Sequence, residues 1–171
     1  MTAEVRIREG NASDFESWFA LFDAVASEGK WIGREGPVDR AAAGAGFEGY
    51  MDLERRIHLF AESDGRVIGN ISVQADRGVA DIGMMVDSNW RGQGVGTLLL
   101  ESAIGWARDH DCYKVALQVW PHNERAIALY TRFGFEEEGR LRRHYRRRNG
   151  ELWDAVVMGL ILDDVSPGSP Y

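Results

Sequence analysis

Between Asn89 and Leu100 the chain reads NWRGQGVGTLLL: Arg91, glycines at 92, 94 and 96, and then an abruptly apolar run. The preceding VADIGMMV (Val79–Val86) has the composition of a strand, and the residues from Val95 onward have helical periodicity. A glycine turn that leaves a strand and opens a helix aims successive backbone amides and the positive end of the helix dipole at one place. That is an anion site. Gly92, Gly94 and Gly96 remove side chains that would block a phosphate, and Arg91 adds a charged donor. A Walker A loop is excluded because no Gly-Lys-Ser/Thr is present. A dinucleotide fingerprint is excluded because Leu99 stands where GxGxxG needs its third glycine.

A second cluster lies at Asn123–Phe135, NERAIALYTRFGF. Ala126, Ile127, Tyr130 and Phe133 share one helix face, Asn123 is placed to cap that helix, and Gly134 takes the left-handed position that ends it, folding Phe135 back on Tyr130. A buried aromatic is expected at Tyr130 on packing grounds alone. The four histidines and the single Cys112 fall at no metal-ligand spacing, so no metal site is expected. Cys112 has no neighbouring cation or helix N-terminus to activate it and reads as structural.

Arg91-x-x-Gly94-x-Gly96 resembles the R/Q-x-x-G-x-G/A pyrophosphate loop of the GNAT superfamily of N-acyltransferases, and Asn123, Ala126, Tyr130, Gly134 and Phe135 match its N-x-x-A-x-x-x-Y-x-x-x-G-F segment. The resemblance covers Val5 to about Leu162. The ending, in which a basic strand is followed by RNGELWDAVVM, resembles the bacterial branch that acts on small amines or amino acids. The resemblance implies acetyl-CoA as donor, held by Arg91, Gly92, Gln93, Gly94, Val95, Gly96, Thr97 and Asn123. Backbone groups of Met84, Met85 and Val86 then meet the pantetheine arm and thioester, with the Met85 or Val86 N–H on the oxyanion and Gly83 supplying a bulge that frees them. Tyr130 is the implied general acid for the thiolate.

The acceptor is expected to be a primary amine of a small molecule, attacking directly. Two carboxylates are candidates for the base, Asp81 on the fourth strand and Glu35 in the loop WIGREGP; for each the plainer reading is a solvated side chain. Trp31, Glu35, Tyr145 and Asp154 are the candidate substrate contacts. Two rival readings stand beside this one: a non-catalytic acyl-CoA sensor module, and an enzyme acting on protein N-termini or lysines.

Composition bounds these readings. The 171 residues, 44% apolar and 27% charged, fit one globular domain over 1–162, and the tail 163–171 (DDVSPGSPY) reads as disordered. No signal core and no run of 18 apolar residues occurs, so a cytoplasmic protein without a membrane partner is expected. A net charge of −7 disfavours nucleic acid and favours cationic small molecules. Six of the 20 basic residues sit in Arg140–Arg148, leaving fourteen against 27 acids elsewhere. That run reads first as a charged edge strand protected from aggregation, second as a homodimer contact with the acidic remainder of a partner, and last as an anion or nucleic-acid patch, which the lack of lysines, interleaved aromatics and overall basicity disfavours.

The elements that must position these residues follow the order β α α β β β α β α β β. Helices are expected over Phe15–Ala26, Val38–Leu53, Val95–His110 and Asn123–Phe133. Strands are expected over Glu4–Arg8, Ile57–Glu62, Val67–Gln74 and Val79–Val86, and over Lys114–Val119 as a strand buried on both faces beside a parallel partner. A closing hairpin turns at Asn149-Gly150, with Arg148 opposite Glu151, Arg146 opposite Trp153 and Tyr145 opposite Asp154. By resemblance this is an α/β (α+β) fold: a mixed, mostly antiparallel seven-stranded sheet flanked by about four helices and splayed between its fourth and fifth strands.

Overall fold

The computed structural model describes residues 4–51 and 54–162. The strands are β1 (Arg6–Glu9), β2 (Arg56–Ser63), β3 (Arg66–Asp76), β4 (Val79–Val86), β5 (Lys114–Val119), β6 (Glu136–Arg146) and β7 (Leu152–Ile161). The helices are α1 (Phe15–Ser27), α2 (Arg40–Gly49), α3 (Val95–Asp109) and α4 (Glu124–Arg132). The strands form one sheet in the order β1-β2-β3-β4-β5-β7-β6, antiparallel except between β4 and β5. This is the expected mixed sheet. The tail 163–171 and Leu53, the expected end of the second helix, lie outside the described residues.

Both faces of the sheet are covered, which is why β3 is buried along most of its length. On one face α1 and α2 bring Trp18, Leu21, Val25, Ala43 and Phe47 onto Phe60, Val67 and Met85. On the other, α3 lays Leu99, Leu100, Ala103 and Ala107 over Ala61, Ile71, Val73 and Ala80. The helix starts follow local chemistry. Asn11 and Asp14 form a capping box ahead of α1, and α2 begins at Arg40 because the Asp39 side chain accepts the Ala42 N–H.

β4 and β5 pair only at Val79↔Lys114, Ala80↔Val115 and Asp81↔Ala116; β5 then continues along β7 from Lys114↔Ile161 to Val119↔Val156. From Ile82 onward the two strands part. Because its β4 partner ends early, β5 is not buried on both faces as expected: Ala116 is half-buried and Gln118 is exposed. The expected bulge at Gly83 is absent too. β4 pairs with β3 without interruption from Gly69↔Val86 to Asp76↔Val79, so its backbone groups are released by the loss of β5.

The closing hairpin also differs from expectation. Gly150 N–H donates to Arg147 O, Arg147 N–H donates to Glu151 O, and Gly150 has φ +89°. That is a three-residue loop, stabilised where Asn149 Oδ1 accepts the Glu151 N–H. The pairing therefore shifts by one, to Tyr145↔Trp153 and Arg146↔Leu152, in place of Tyr145 opposite Asp154 and Arg146 opposite Trp153. β6 is the sheet edge as expected, but the arginine run is not wholly solvated: Arg147 is 3% exposed.

Candidate active site

Where β4 and β5 part, a cavity of about 920 Å³ opens between β4, β5, α4 and the first turn of α3. Its floor is the end of β4. Asp87 N–H donates to Ile68 O, and the alternation of an antiparallel ladder then commits the amide of Met85 to β3 and turns those of Met84 and Val86 into the gap. The donor expected from Met85 or Val86 thus falls to Val86, with Met84 as its neighbour.

At one end stands the glycine turn. Gly92 and Gly94 have φ of +78° and +85°, values that suit glycine, and Gly94 is the N-cap of α3 with no side chain capping the helix. The first α3 amides are left for a ligand. Gly96 serves packing, since a Cβ there would meet Leu129 Cδ2 at 3.3 Å and Met84 Cε at 3.6 Å. Thr97 lines the cavity and accepts a hydrogen bond from Arg132. Gln93 and Val95 do not line it: Gln93 turns back to Asn89 O, and the Val95 side chain is buried in the core.

Arg91 lines the cavity, but its guanidinium is already engaged. Nε donates to Val86 O at 2.9 Å, and Nη1 and Nη2 grip Glu28 at 2.8 and 2.6 Å. In this arrangement the side chain ties the glycine turn to the end of α1, and the expected hold on a pyrophosphate would compete with Glu28. The cations facing the turn are Arg125 and Arg132 on α4, both lining the cavity, with Arg125 Nη1 3.8 Å from where a Gly92 Cβ would stand. The sequence reading missed both. Their spacing of seven, one helix face together with Leu129, was the available signal.

Tyr130 faces the cavity from α4, 6% exposed, its ring 5.6 Å from Phe135. The Phe135 N–H donates to Tyr130 O and the Gly134 N–H to Thr131 O, the expected glycine stop. Burial pushes the Tyr130 hydroxyl up to about 12, so it is a protonated donor at neutral pH. Asn123 lines the cavity and caps α4 through the Ala126 N–H.

A second cavity of about 450 Å³ adjoins the first, sharing Ile32, Gly33, Gly83, Met84 and Met85 with it, and lies between the sheet, α1, α2 and the loop joining those helices. That loop is pinned. Arg147 is packed 4.4 Å from the Trp153 ring and 5.5 Å from that of Trp120, and donates to the carbonyls of Gly33 and Gly29. Arg148 donates to the carbonyls of Gly36 and Pro37.

The expected acceptor residues divide. Trp31 and Tyr145 line the large cavity; Trp31 donates to Glu28, and the Tyr145 hydroxyl donates to Gln118. Glu35 lines the smaller cavity but is occupied, accepting the Arg148 N–H at 2.9 Å with Arg147 Nε 3.5 Å away. Asp154 lines neither. It accepts from Arg140 Nε and from the N–H of Arg143, a residue at φ +51° where β6 is irregular, so it braces that distortion. Asp81 also lines neither, being the last β4 residue still paired with β5; burial, with Asp76 nearby, raises its carboxyl. Of the two candidate bases, Glu35 stands at the smaller cavity and Asp81 at the point where β4 and β5 part. Among the described residues, no carboxylate or imidazole lines the large cavity.

A family model described as the acetyltransferase (GNAT) family matches residues 16–135. The chain belongs to that family. Among other GNAT proteins it is 35% identical to the L-amino acid N-acetyltransferase AaaT of Escherichia coli over 112 residues, 60% of this chain and 67% of that one. It is 26% identical over 163 residues to an L-methionine sulfoximine/L-methionine sulfone acetyltransferase of Pseudomonas paraeruginosa, covering 92% and 94% of the two chains. The fold is that of a GNAT phosphinothricin acetyltransferase of Sinorhizobium meliloti solved with acetyl-CoA, at 21% identity and a TM-score of 0.84, covering all of this chain and 94% of that one. This GNAT chain is accordingly an acetyltransferase.

Proposed function

We propose that the protein transfers acetyl from acetyl-CoA directly to the primary amine of a small molecule of the amino-acid type. One observation carries this reading: an uncapped helix N-terminus, two free strand amides and a buried tyrosine line one continuous cavity in the gap between β4 and β5. Acetyl-CoA supplies the activated acetyl group. The α3 amides, with Arg125 and Arg132, face its phosphates. The Met84 and Val86 N–H groups stabilise the oxyanion that develops as the amine nitrogen attacks the carbonyl carbon. Tyr130 gives its proton to the departing sulfur as the C–S bond breaks, and regains one from solvent after the new ammonium releases it. With no carboxylate among the described residues that line the large cavity, the amine arrives already neutral.

The pinned loop favours a small acceptor, because Arg147, Arg148 and Arg91 hold it in place beside the smaller cavity. Two relatives, the Escherichia coli and Pseudomonas paraeruginosa proteins, are named for L-amino acids and for L-methionine sulfoximine and sulfone, which supports the same reading. The test is calorimetric titration with acetyl-CoA, with ATP and NAD as controls, followed by thiol detection across amines and amino acids. Selective acetyl-CoA binding with amine-dependent thiol release is expected. Binding without release for every small amine would remove the small-amine assignment.

A further inference from the structure

An irregularity in β6 decides which side chain looks into the large cavity. Leu141 pairs with Ala155 and Tyr145 with Trp153, so Arg142, Arg143 and His144 stand opposite Asp154 alone. In an unbroken ladder Arg143 would face Trp153 and take the place that Tyr145 holds. Asp154 keeps the distortion: Oδ1 accepts the N–H of Arg143, a residue at φ +51°, and Oδ2 accepts from Arg140 Nε, each at 2.8 Å. Tyr145 is fixed in turn. Its ring stands edge-on to that of Trp120 at 5.0 Å, and Trp120 is itself buried with the Arg147 guanidinium 5.5 Å from its ring. The hydroxyl reaches across β7 to Gln118 Oε1 on β5, at 2.5 Å.

The place of Gln118 follows from the strand register. β4 and β5 pair as far as Asp81↔Ala116, and the same register carried two residues further sets Gly83 and Gln118 on opposite sides of the gap. Both line the large cavity, and glycine puts no side chain between them. A separation of 2.5 Å suits O–H···O and is shorter than N–H···O bonds run, so the amide oxygen is the atom that faces the phenol. A tyrosine has one hydroxyl proton. With that proton spent on Gln118, Tyr145 Oη can only accept a hydrogen bond from a molecule in the cavity.

The attacking amine needs such an atom. A neutral primary amine carries two N–H donors beside its lone pair, and holding one N–H fixes the direction of that lone pair. Positive charge builds on the nitrogen as the N–C bond forms, so the hold tightens in the transition state. Among the described residues, the other side-chain oxygens lining the large cavity are committed. Thr97 accepts from Arg132, Asn123 caps α4, Gln118 Oε1 holds Tyr145, and Tyr130 serves the sulfur.

We propose that Tyr145 Oη receives an N–H of the attacking amine and aims its lone pair at the thioester carbonyl, with Gln118 and Asp154 as positioning residues. Gln118 makes the oxygen acceptor-only, and Asp154 holds the bulge that brings it to the cavity. No proton moves to Tyr145; the nitrogen keeps it until solvent takes it. This deepens the acetyl-transfer reading and rests on it.

The test is a double-mutant cycle read by thiol release, on the fastest acceptor among L-methionine, L-phenylalanine, tyramine and n-butylamine. Tyr145→Phe is expected to lower kcat about tenfold, the scale of one neutral hydrogen bond, with the acceptor KM and the acetyl-CoA Kd within about twofold. Gln118→Leu, which leaves the phenol in place and frees its proton, should cost the same, and the double variant no more than either. Asp154→Ala should also cost about tenfold in the native background and nothing further on top of Tyr145→Phe, while Asp154→Asn, which keeps an oxygen for the Arg143 N–H, restores turnover. An unchanged kcat in Tyr145→Phe overturns the proposal. Losses that multiply to about a hundredfold in the Tyr145–Gln118 double variant overturn the link through Gln118, and a further loss from Asp154→Ala on Tyr145→Phe overturns the link through Asp154. No thiol release from the native protein with any of the four amines would instead locate the error in the acetyl-transfer reading.

Discussion

Arg91 and Glu28 meet in a two-point pair, Nη2 to Oε1 at 2.6 Å and Nη1 to Oε2 at 2.8 Å, joining the glycine turn that opens α3 to the end of α1. Trp31 adds a third contact by donating to the same carboxylate. The pair thus couples the donor end of the large cavity to the loop that roofs the smaller one. Glu28→Gln is expected to raise the acceptor KM several-fold while the acetyl-CoA Kd, measured calorimetrically, stays within about twofold. A large fall in that Kd would show that Arg91, released from Glu28, serves the phosphates. The pair also has a pH signature. Arg91, then the Trp31 hydrogen bond, hold the Glu28 carboxyl below its ordinary range. Its contribution is complete above the ordinary glutamate pKa of about 4.3 and is lost as pH falls through the lowered folded value. Glu28→Gln should therefore destabilise at neutral pH and converge with the native protein in strong acid, as read by thermal melts.

Tyr130→Phe removes the hydroxyl and keeps the packing on Phe135. If the hydroxyl protonates the leaving sulfur, kcat drops by roughly 10²-fold or more, with acetyl-CoA affinity and melting temperature little changed. Unchanged turnover would take Tyr130 out of the mechanism and leave it as a core aromatic.

The phosphate end is tested by charge and by backbone. Gly94→Asp places a carboxylate at an uncapped helix N-terminus where φ is +85°, and is expected to weaken acetyl-CoA binding by about 100-fold while the far-ultraviolet spectrum persists. Arg125→Ala with Arg132→Ala should weaken it by about tenfold and flatten its dependence on salt. If the double variant binds normally, these two arginines only border the site.

Much of this site was legible in the chain because local chemistry wrote it. The strand, glycine turn and helix from Val79 to Asp109, and the capped helix from Asn123 to Gly134, each depend on residues close in sequence. What stayed hidden depends on distant pairing. Asp81 and Gly83 alternate correctly along β4, but only the end of β5 pairing decides that one stays at the vertex and the other opens into the gap. Arg147 reads as surface charge in RLRRHYRRR; the three-residue loop and two tryptophans bury it. Arg91 reads as an anion donor because its partner Glu28 lies 63 residues away. Gln118 gave no motif, and its place across the gap from Gly83 follows only from the strand register.

Arg147→Met tests the roof. The methionine keeps apolar bulk against Trp120 and Trp153 but loses the donors to Gly29 and Gly33 and the charge beside Glu35. Glu35 still accepts the Arg148 N–H and is not stranded. A loss of about 2 kcal/mol is expected, from the cation–π contacts and two hydrogen bonds, together with a higher acceptor KM and an unchanged acetyl-CoA Kd. Urea unfolding and steady-state kinetics on one preparation separate the two effects.

The absence of a carboxylate or imidazole from the described lining of the large cavity fixes how rate should follow pH. If an enzyme base took the proton, kcat/KM would bend at that base's own pKa whatever amine was supplied. With the amine losing its proton to solvent, only the neutral fraction reacts. That fraction grows tenfold per pH unit below the amine pKa and levels off above it. Tyr130, pushed up to about 12, stays protonated across the range and adds no bend below pH 10. Two acceptors whose amines differ by a pH unit or more in pKa should therefore give profiles of the same shape, displaced by that difference. A common inflection for both would mean that a protein group does the deprotonation, and Glu35→Gln against Asp81→Asn would then show which of the two carboxylates moves it.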